Sequence, residues 1–410
     1  MSFRIALSGL EAASTDLDVT GNNIANAGTT GFKESRAEFS DIYATSIQDL
    51  GTQAAGRGVR VARVSQQFSQ GTVEFTNNNT DLAINGEGFF VVEDDAGSRF
   101  YTRSGAFTVD REGYMVNHAG QRLQVYDAVT STTPTTFDTG SLIDLQLQTQ
   151  PSAPSASSTI TAGINLNASD TILGAGTIDP ATATSYTSAT SITIYDTLGD
   201  SHTATMYFRR TGALTWDVAT YVPDATAATE LQGPSTLTFT AAGAPTGTTT
   251  LNFNGFAFTN GASAINLATD FSTATQFAGE FGVNDLSQNG YASGRLNGID
   301  VSDTGVVFAR FTNGRSTELG KVVMAKFNNP NGLGKEGDNN WTETFESGDA
   351  QLGEASTASF GSIQSGALEL SNVDIATQLV KLIVAQRNFQ ANTKVISTAD
   401  QVTQAVINIR

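Results

Sequence analysis

The last forty residues, 371–410, contain neither proline nor glycine, and their apolar positions recur at helical spacing. A stretch of that kind can run as one unbroken helix. Val395, Ala399, Val402, Val406 and Ile409 form one stripe, while Leu382, Phe389 and Ile396 repeat every seven residues on another. Two apolar faces on one helix require more than one neighbour. Ser371 with Asp374 three residues on reads as the capping signature at its start. At the opposite end, Phe3, Leu7, Leu10, Leu17 and Ile24 fall on steps of four, three or their sums, with Ser14 and Gly21 weakening the seam between them. A helix over 3–26 would be roughly 36 Å long. It should end near Asn26 to Gly28, where Asn and Gly accept the left-handed backbone that closes helices.

Between these ends the pattern is that of strands. Residues 59–64 alternate among arginines, and residues 81–126 read as short strands separated by turns. Asn313-Gly314 predicts a tight hairpin joining Val306–Phe311 to Val322–Phe327, with positive φ at both turn positions. In 202–208, His202, Ala204, Met206 and Phe208 alternate with Thr203, Thr205 and Tyr207; in 214–222, Leu214, Trp216 and Val218 alternate with polar neighbours. Residues 128–160, rich in Thr, Ser and Pro, read as a linker or loop, and a second Gly/Ala/Thr-rich stretch covers 241–250. At 410 residues the chain exceeds one average core.

Composition narrows the function. Charged residues make up 15% of the chain, well below the ~25% of an average globular domain. The net charge of −18 disfavours a nucleic-acid partner. No Lys lies between Lys33 and Lys321, and the stretch from 150 to 290 carries only Arg209 and Arg210 as basic residues. The absence of cysteine excludes disulfides and thiolate chemistry. Ile5-Ala6-Leu7 is too short for the apolar region of a cleavable secretory signal, and no run of about 18 apolar residues predicts a membrane span.

Residues able to carry catalysis are sparse. His118 and His202 have no metal-ligand spacing, so each reads as a packed or surface histidine. Gly28-Thr-Thr-Gly31-Phe32-Lys33 lacks the gap, the Gly before Lys and the hydroxyl of a phosphate loop. Glu93-Asp94-Asp95, and Asp338 with Glu343 and Glu346, do not match a calcium loop and read as solvated acidic turns. No enzyme, cofactor or metal is expected.

Four blocks together resemble the bacterial flagellar rod and hook axial protein family. They are Leu7-Ser8-Gly9-Leu10 through Asn22-Asn23-Ile24-Ala25-Asn26 to Thr30-Gly31-Phe32-Lys33; Asp81-Leu82-Ala83-Ile84-Asn85-Gly86 through Phe90; Tyr101-Thr102-Arg103-Ser104-Gly105-Ala106-Phe107; and Gly366 to Asn392. Length, Ile164-Asn165-Leu166-Asn167 and Ile194-Tyr195-Asp196-Thr197-Leu198-Gly199 favour the long, hook-type branch over the short rod branch. The resemblance implies a mainly β fold with α-helical termini, two nested β domains and a coiled-coil-like pair of terminal helices. The implied boundaries are 1–30 and 366–410 for a helical assembly domain and 31–71 for a connecting segment. A first β domain would take 72–146 and 291–365, and an inserted outer β domain 147–290.

By the same resemblance the chain polymerises into the flexible tube that passes torque from rod to filament. The expected assembly residues are Phe3, Leu7, Leu10, Leu17, Asn22, Asn23, Ile24, Asn26, Gly31, Phe32, Leu379, Leu382, Ile383, Phe389, Val395, Val402, Val406 and Ile409. Implied partners are further copies of itself, the distal rod, the hook cap, the hook–filament junction protein and the type III export apparatus. The implied location is outside the cell, without a cleaved signal. Phe39 and Tyr43 resemble an export-gate signal. A distal rod protein, or a secreted β-rich adhesin or binding module, is the alternative. On the helix patterns alone, packing back onto the chain's own body competes evenly with self-assembly.

Overall fold

In the computed structural model, described for residues 2–42, 56, 58–129, 134–147, 150–226, 231–357 and 359–408, two helices bracket a β-rich middle. Helix α1 is Ser2–Ala25 and helix α2 is Ile375–Asn408, 34 residues long. The cap of α2 corrects the expectation. Asp374, not Ser371, occupies the position just before the helix, and its Oδ1 accepts the Thr377 amide at 2.7 Å. Hydrogen bonding to Thr377 holds the Asp374 carboxyl below the usual aspartate range.

The chain divides into two compact units, one inserted into the other. The first comprises Met1–Thr149, Gly298–Arg310 and Ser316–Arg410; the second comprises Gln150–Asn297 and Phe311–Arg315.

In the first unit, strands from the two ends of the chain pair with each other. Val73–Phe75 lies antiparallel to Ala367–Glu369, and Leu82–Asn85 to Ser362–Ser365. Ser35–Asp41 and Val59–Gln66 form a separate antiparallel ribbon. The main sheet joins Phe89–Glu93, Arg99–Thr102, Arg122–Val129, Ser316–Lys326 and Asn340–Thr342. The continuous apolar run Phe89-Phe90-Val91-Val92 is buried throughout, as a strand covered on both faces must be. One core packs Phe89, Tyr101, Phe327 and Trp341 edge to face, with Phe68 set against Phe89 and Trp341.

Two local expectations fail. Part of the predicted linker is strand Thr136–Asp144, paired with Arg122–Val129 and offset by a bulge. A polar Thr/Asp/Ser sequence makes an edge strand there because its neighbour supplies the ladder. At Asn313-Gly314, only Gly314 has positive φ (79°). The Phe311 amide bonds Arg315 O, and the Gly314 amide bonds Phe311 O. The connection is therefore a three-residue loop ending in a left-handed glycine, not a two-residue turn.

The second unit is a sandwich of two five-stranded sheets. One holds Thr250–Phe256, Ile265–Asp270, Thr159–Asn167, Thr275–Phe277 and Gly282–Gln288; the other holds Ser188–Tyr195, Ser201–Arg210, Thr215–Tyr221, Leu231–Phe239 and Pro245–Thr246. Their inner faces share a core that includes Ile164, Phe253 and Leu267 from one sheet and Phe208, Trp216 and Leu237 from the other. His202, Ala204, Met206 and Phe208 all point inward, while Leu214 stays partly exposed. His202 is packed: it stacks on Phe258 at 4.0 Å and its Nε2 lies 3.2 Å from Asp196 Oδ2. His118 sits at the surface, 3.6 Å from Asp338. Among the described residues no helix is long and apolar enough to cross a membrane.

Candidate assembly surface

Helices α1 and α2 pack side by side. Asn23 meets Gln378 at one end of the pair, and Gly9 abuts Asn392 towards the other, so the helices run antiparallel. On α2 the inward positions are Gln378, Leu382, Ala385, Phe389, Asn392, Ile396 and Ala399, alternating by four and three. That is a heptad seam. Its counterpart on α1 is Ala6, Gly9, Ala13, Asp16, Thr20 and Asn23, a face made of small and polar residues. A Cβ on Gly9 would lie 2.7 Å from the Asn392 amide oxygen, so the pair closes at this height only because Gly9 has no side chain. Partial burial raises the Asp16 carboxyl above its ordinary range, with Lys381 pulling the other way.

The predicted α1 seam is therefore not the surface that meets α2. Phe3 and Leu7 are 51% and 41% exposed, and Leu10, Leu17 and Ile24 are only partly covered. On α2, Leu379, Ile383, Val395 and Val402 are 46%, 50%, 47% and 59% exposed, whereas Leu382 and Phe389 are partly covered by the pairing. Val380, Val384 and Ile407 add to the outward apolar surface. A groove of about 940 Å³ lies between Phe3 and the stretch Ala391 to Thr403. Helices folded away onto their own body would not leave so many large apolar side chains in water. The Val406 side chain lies outside what the structure describes, as do Tyr43 and Ile409 entirely. Phe39 lies on the ribbon strand Ser35–Asp41, 43% exposed.

Behind the helices, the signature residues fasten the chain ends together. Asn23 imitates a strand edge: its Nδ2 donates to Ser35 O at 2.7 Å and its Oδ1 accepts the Ser35 amide at 2.9 Å. Asn22 and Asn26 close the end of α1, the Asn26 amide and side chain both donating to Asn22 O. Asn372 Oδ1 accepts the Glu34 amide at 2.7 Å, and its Nδ2 donates to Gln67 O and Ser69 O. Glu34 Oε1 in turn receives Gln378 and Lys381 of α2, each at 2.7 Å.

A buried ionic clamp, which sequence reasoning missed, lies beneath this network. Glu369 and Lys33 have no exposed side-chain surface, and their Oε1 and Nζ are 2.6 Å apart. The other carboxylate oxygen of Glu369 accepts Arg103 at 3.2 Å, and the Gly71 amide reaches Oε1 at 2.8 Å. Lys33 also donates to Ser69 O, and Arg103 to Gly86 O, each at 2.8 Å, while the guanidinium lies over the Phe89 ring. Burial lowers the Lys33 amine from its ordinary value, and the Glu369 charge and hydrogen bond offset part of that. Gly31 brings the chain in: its φ is 71°, its amide donates to Glu369 O at 2.8 Å, and a Cβ there would sit 2.5 Å from the Ser104 nitrogen. Phe32 beside it is buried. The clamp thus joins all four of the sequence blocks singled out above.

Helical chain ends, an outward apolar surface and nested β units define a subunit of an axial assembly, and the comparisons agree. Residues 3–33 match the flagella basal body rod protein family. Residues 83–196 match the flagellar hook protein FlgE/F/G D1 domain. Residues 165–291 match the flagellar basal body protein FlaE D2 domain, and 364–409 the flagellar basal body rod FlgEFG protein C-terminal family. The chain is 38% identical to the flagellar hook protein FlgE of Escherichia coli (strain K12), covering 100% of both chains. It is 32% identical to that of Borreliella burgdorferi, covering 98% of each. The fold is also similar to that of the Helicobacter pylori flagellar hook protein FlgE2, with a TM-score of 0.51 at 15% identity, covering 72% of this chain and 100% of that one. The chain belongs to the flagellar hook protein FlgE family.

Proposed function

We propose that this protein is the polymerising subunit of the bacterial flagellar hook, the flexible tube outside the cell that carries torque from rod to filament. The observation that carries the reading is the pair of helices with its large apolar side chains turned outward: Phe3, Leu7, Leu379, Ile383, Val395 and Val402. Each gains on the order of 1 kcal/mol when a neighbouring copy covers its exposed half. The small face of α1, packed against Leu382, Phe389 and Ile396 of α2, leaves the other large side chains for contacts between copies. The network at Asn23, Glu34 and Asn372 and the clamp at Glu369 hold that pair firmly to the β unit, so force on the helices reaches the rest of the subunit. The inserted unit, poor in charge, presents Ser, Thr and Asn to its surroundings and gives neighbours little to grip while the tube bends.

This role is structural, not catalytic. The distal rod, cap, junction protein and type III export apparatus are its expected partners. A rod subunit would not need the inserted unit Gln150–Asn297. An adhesin would not need the helices.

The test replaces Val402 or Leu17 by Asp in a strain that depends on this chain for its hook. Hooks should be lost, while the purified variants keep the circular dichroism and thermal unfolding of the β units. Normal hooks from both variants would refute the assembly role of the helices.

A further inference from the structure

We propose that α1 of one copy lies antiparallel against α2 of the next, with Glu11 paired to Lys394 and Asp18 to Arg387, so that helix pairs join side by side through columns of opposite charge. This contact rests on the hook reading above and gives the helix surface its partner and register. Two residues beyond a seam position, an α-helix has turned about 200°, to the side facing away from the seam. On α1, Glu11 and Asp18 follow the seam residues Gly9 and Asp16 at that spacing. On α2, Arg387 and Lys394 follow Ala385 and Asn392. All four residues are exposed, and among the described residues none of their side chains has an ion-pair partner. The pair therefore carries an acidic column on its α1 flank and a basic column on its α2 flank. The helices themselves stand between the columns, which cannot satisfy each other within one copy.

Charge and register make a second copy the occupant. In a chain of net charge −18, a basic column is unusual, and Lys381, the other lysine of α2, is already held by Glu34 at 2.7 Å. Both columns repeat after seven residues, about 10.5 Å along the axis, so a single alignment closes both pairs. The alignment is antiparallel because α1 and α2 are antiparallel within a chain, and a helical polymer keeps the axial direction of each element from copy to copy. Extended by a further seven residues each way, it sets Arg4 against Gln401 and Ala25 against Val380, all exposed, with no like charges meeting. Contacts of α1 with α1, or of α2 with α2, would instead bring like charges together, which selects the head-to-tail contact that repeats along a polymer. Exposed ion pairs are individually weak, so the columns choose partner and register. Leu7 beside Glu11 and Val384 beside Arg387, 41% and 49% exposed, add apolar area at the same surfaces.

The test exchanges the columns in the full-length chain, in cells that depend on it for their hooks. Glu11→Lys with Asp18→Lys should abolish hooks, as should Arg387→Glu with Lys394→Glu, while all four substitutions together restore them. Normal hooks from either reversed pair, or loss from both without restoration by the fourfold variant, overturn the contact and leave the hook reading standing. If the purified fourfold variant lacks the native circular dichroism, thiols decide, since the chain has no cysteine of its own. Hooks carrying Glu11→Cys and Lys394→Cys together should pass on oxidation from monomer into a ladder of covalent oligomers. Monomer alone overturns the contact, and so do dimers from either single cysteine, because like columns would then be meeting. Absence of hooks with the unsubstituted chain would remove the polymer itself and overturn both.

Discussion

Replacing Glu369 by Gln removes the buried carboxylate from a site holding two buried cations. The Lys33 amine keeps Ser69 O, and the Arg103 guanidinium keeps Gly86 O, but both lose the carboxylate that pairs with them directly. Gln offers one neutral oxygen in place of two charged ones, and its amide N–H groups face donors. Breaking a buried ion pair from one side costs about 3–5 kcal/mol. For a unit of 150–250 residues that corresponds to a fall in Tm of about 6–20 °C. Lys33→Met should cost less, since it leaves Arg103 and Glu369 as a neutral one-to-one pair. The chain has two tryptophans, and each reports on one unit: Trp341 lies in the core of the first and Trp216 in the core of the second, both buried. Urea unfolding of Trp216→Phe and Trp341→Phe backgrounds therefore follows the units separately. Glu369→Gln should shift the Trp341 transition and leave the Trp216 transition in place. A Trp341 shift below about 0.5 kcal/mol, in the range of ordinary surface substitutions, or a Lys33→Met variant as damaged as Glu369→Gln, would refute the clamp.

Burial pushes the Asp196 carboxyl up, but hydrogen bonds from Asn260, His202 and the Asp200 and Leu198 amides outweigh it and hold it below the usual range. Its stabilisation is present above the ordinary aspartate value and is lost as pH falls through the lowered one; Asp196→Asn should flatten the acid limb of the Trp216 transition. Lys33 gives a slope of the same sign in an alkaline window. Its folded value is lowered, so the first unit should gain stability as pH rises from that value towards 10.5, and Lys33→Met should abolish the gain in the Trp341 signal. Gly9→Leu would drive a side chain into Asn392 and separate the helices; hydrogen exchange in α1 should accelerate while the exchange of the main sheet stays unchanged. Asp374→Ala removes the α2 cap and should speed exchange at Gln378 and its neighbours, with no change in the β units.

The general plan was readable because its signals are local. Alternation in 202–208 fixed the inward face of that strand, and the proline-free tail announced α2. The seam between the helices was harder. The face of α1 that meets α2 is Ala6, Gly9, Ala13, Thr20 and Asn23, and small or polar residues leave no hydrophobic period to detect. The larger Phe3 and Leu7 carry the visible period of α1, and they stay 51% and 41% exposed. The clamp was hidden for a different reason: Lys33 and Glu369 are 336 positions apart, and no local rule pairs them. One trace existed, because Lys33 follows Phe32 at the end of a signature block and is followed by no lysine until Lys321. Strand Thr136–Asp144 was lost to its own composition, since its order comes from the partner strand.

The clamp also sets the order in which the molecule can be completed. Val73–Phe75 needs Ala367–Glu369, Leu82–Asn85 needs Ser362–Ser365, and α1 needs α2. Pairings so distant along the chain close late. A polypeptide emerging amino end first would have its inserted sandwich, Gln150–Asn297, available to fold while Lys33 still waited for its carboxylate. Until residue 369 arrives, the leading helix has no mate and its greasy flank no fixed bearing, so unfinished chains cannot present a finished joint.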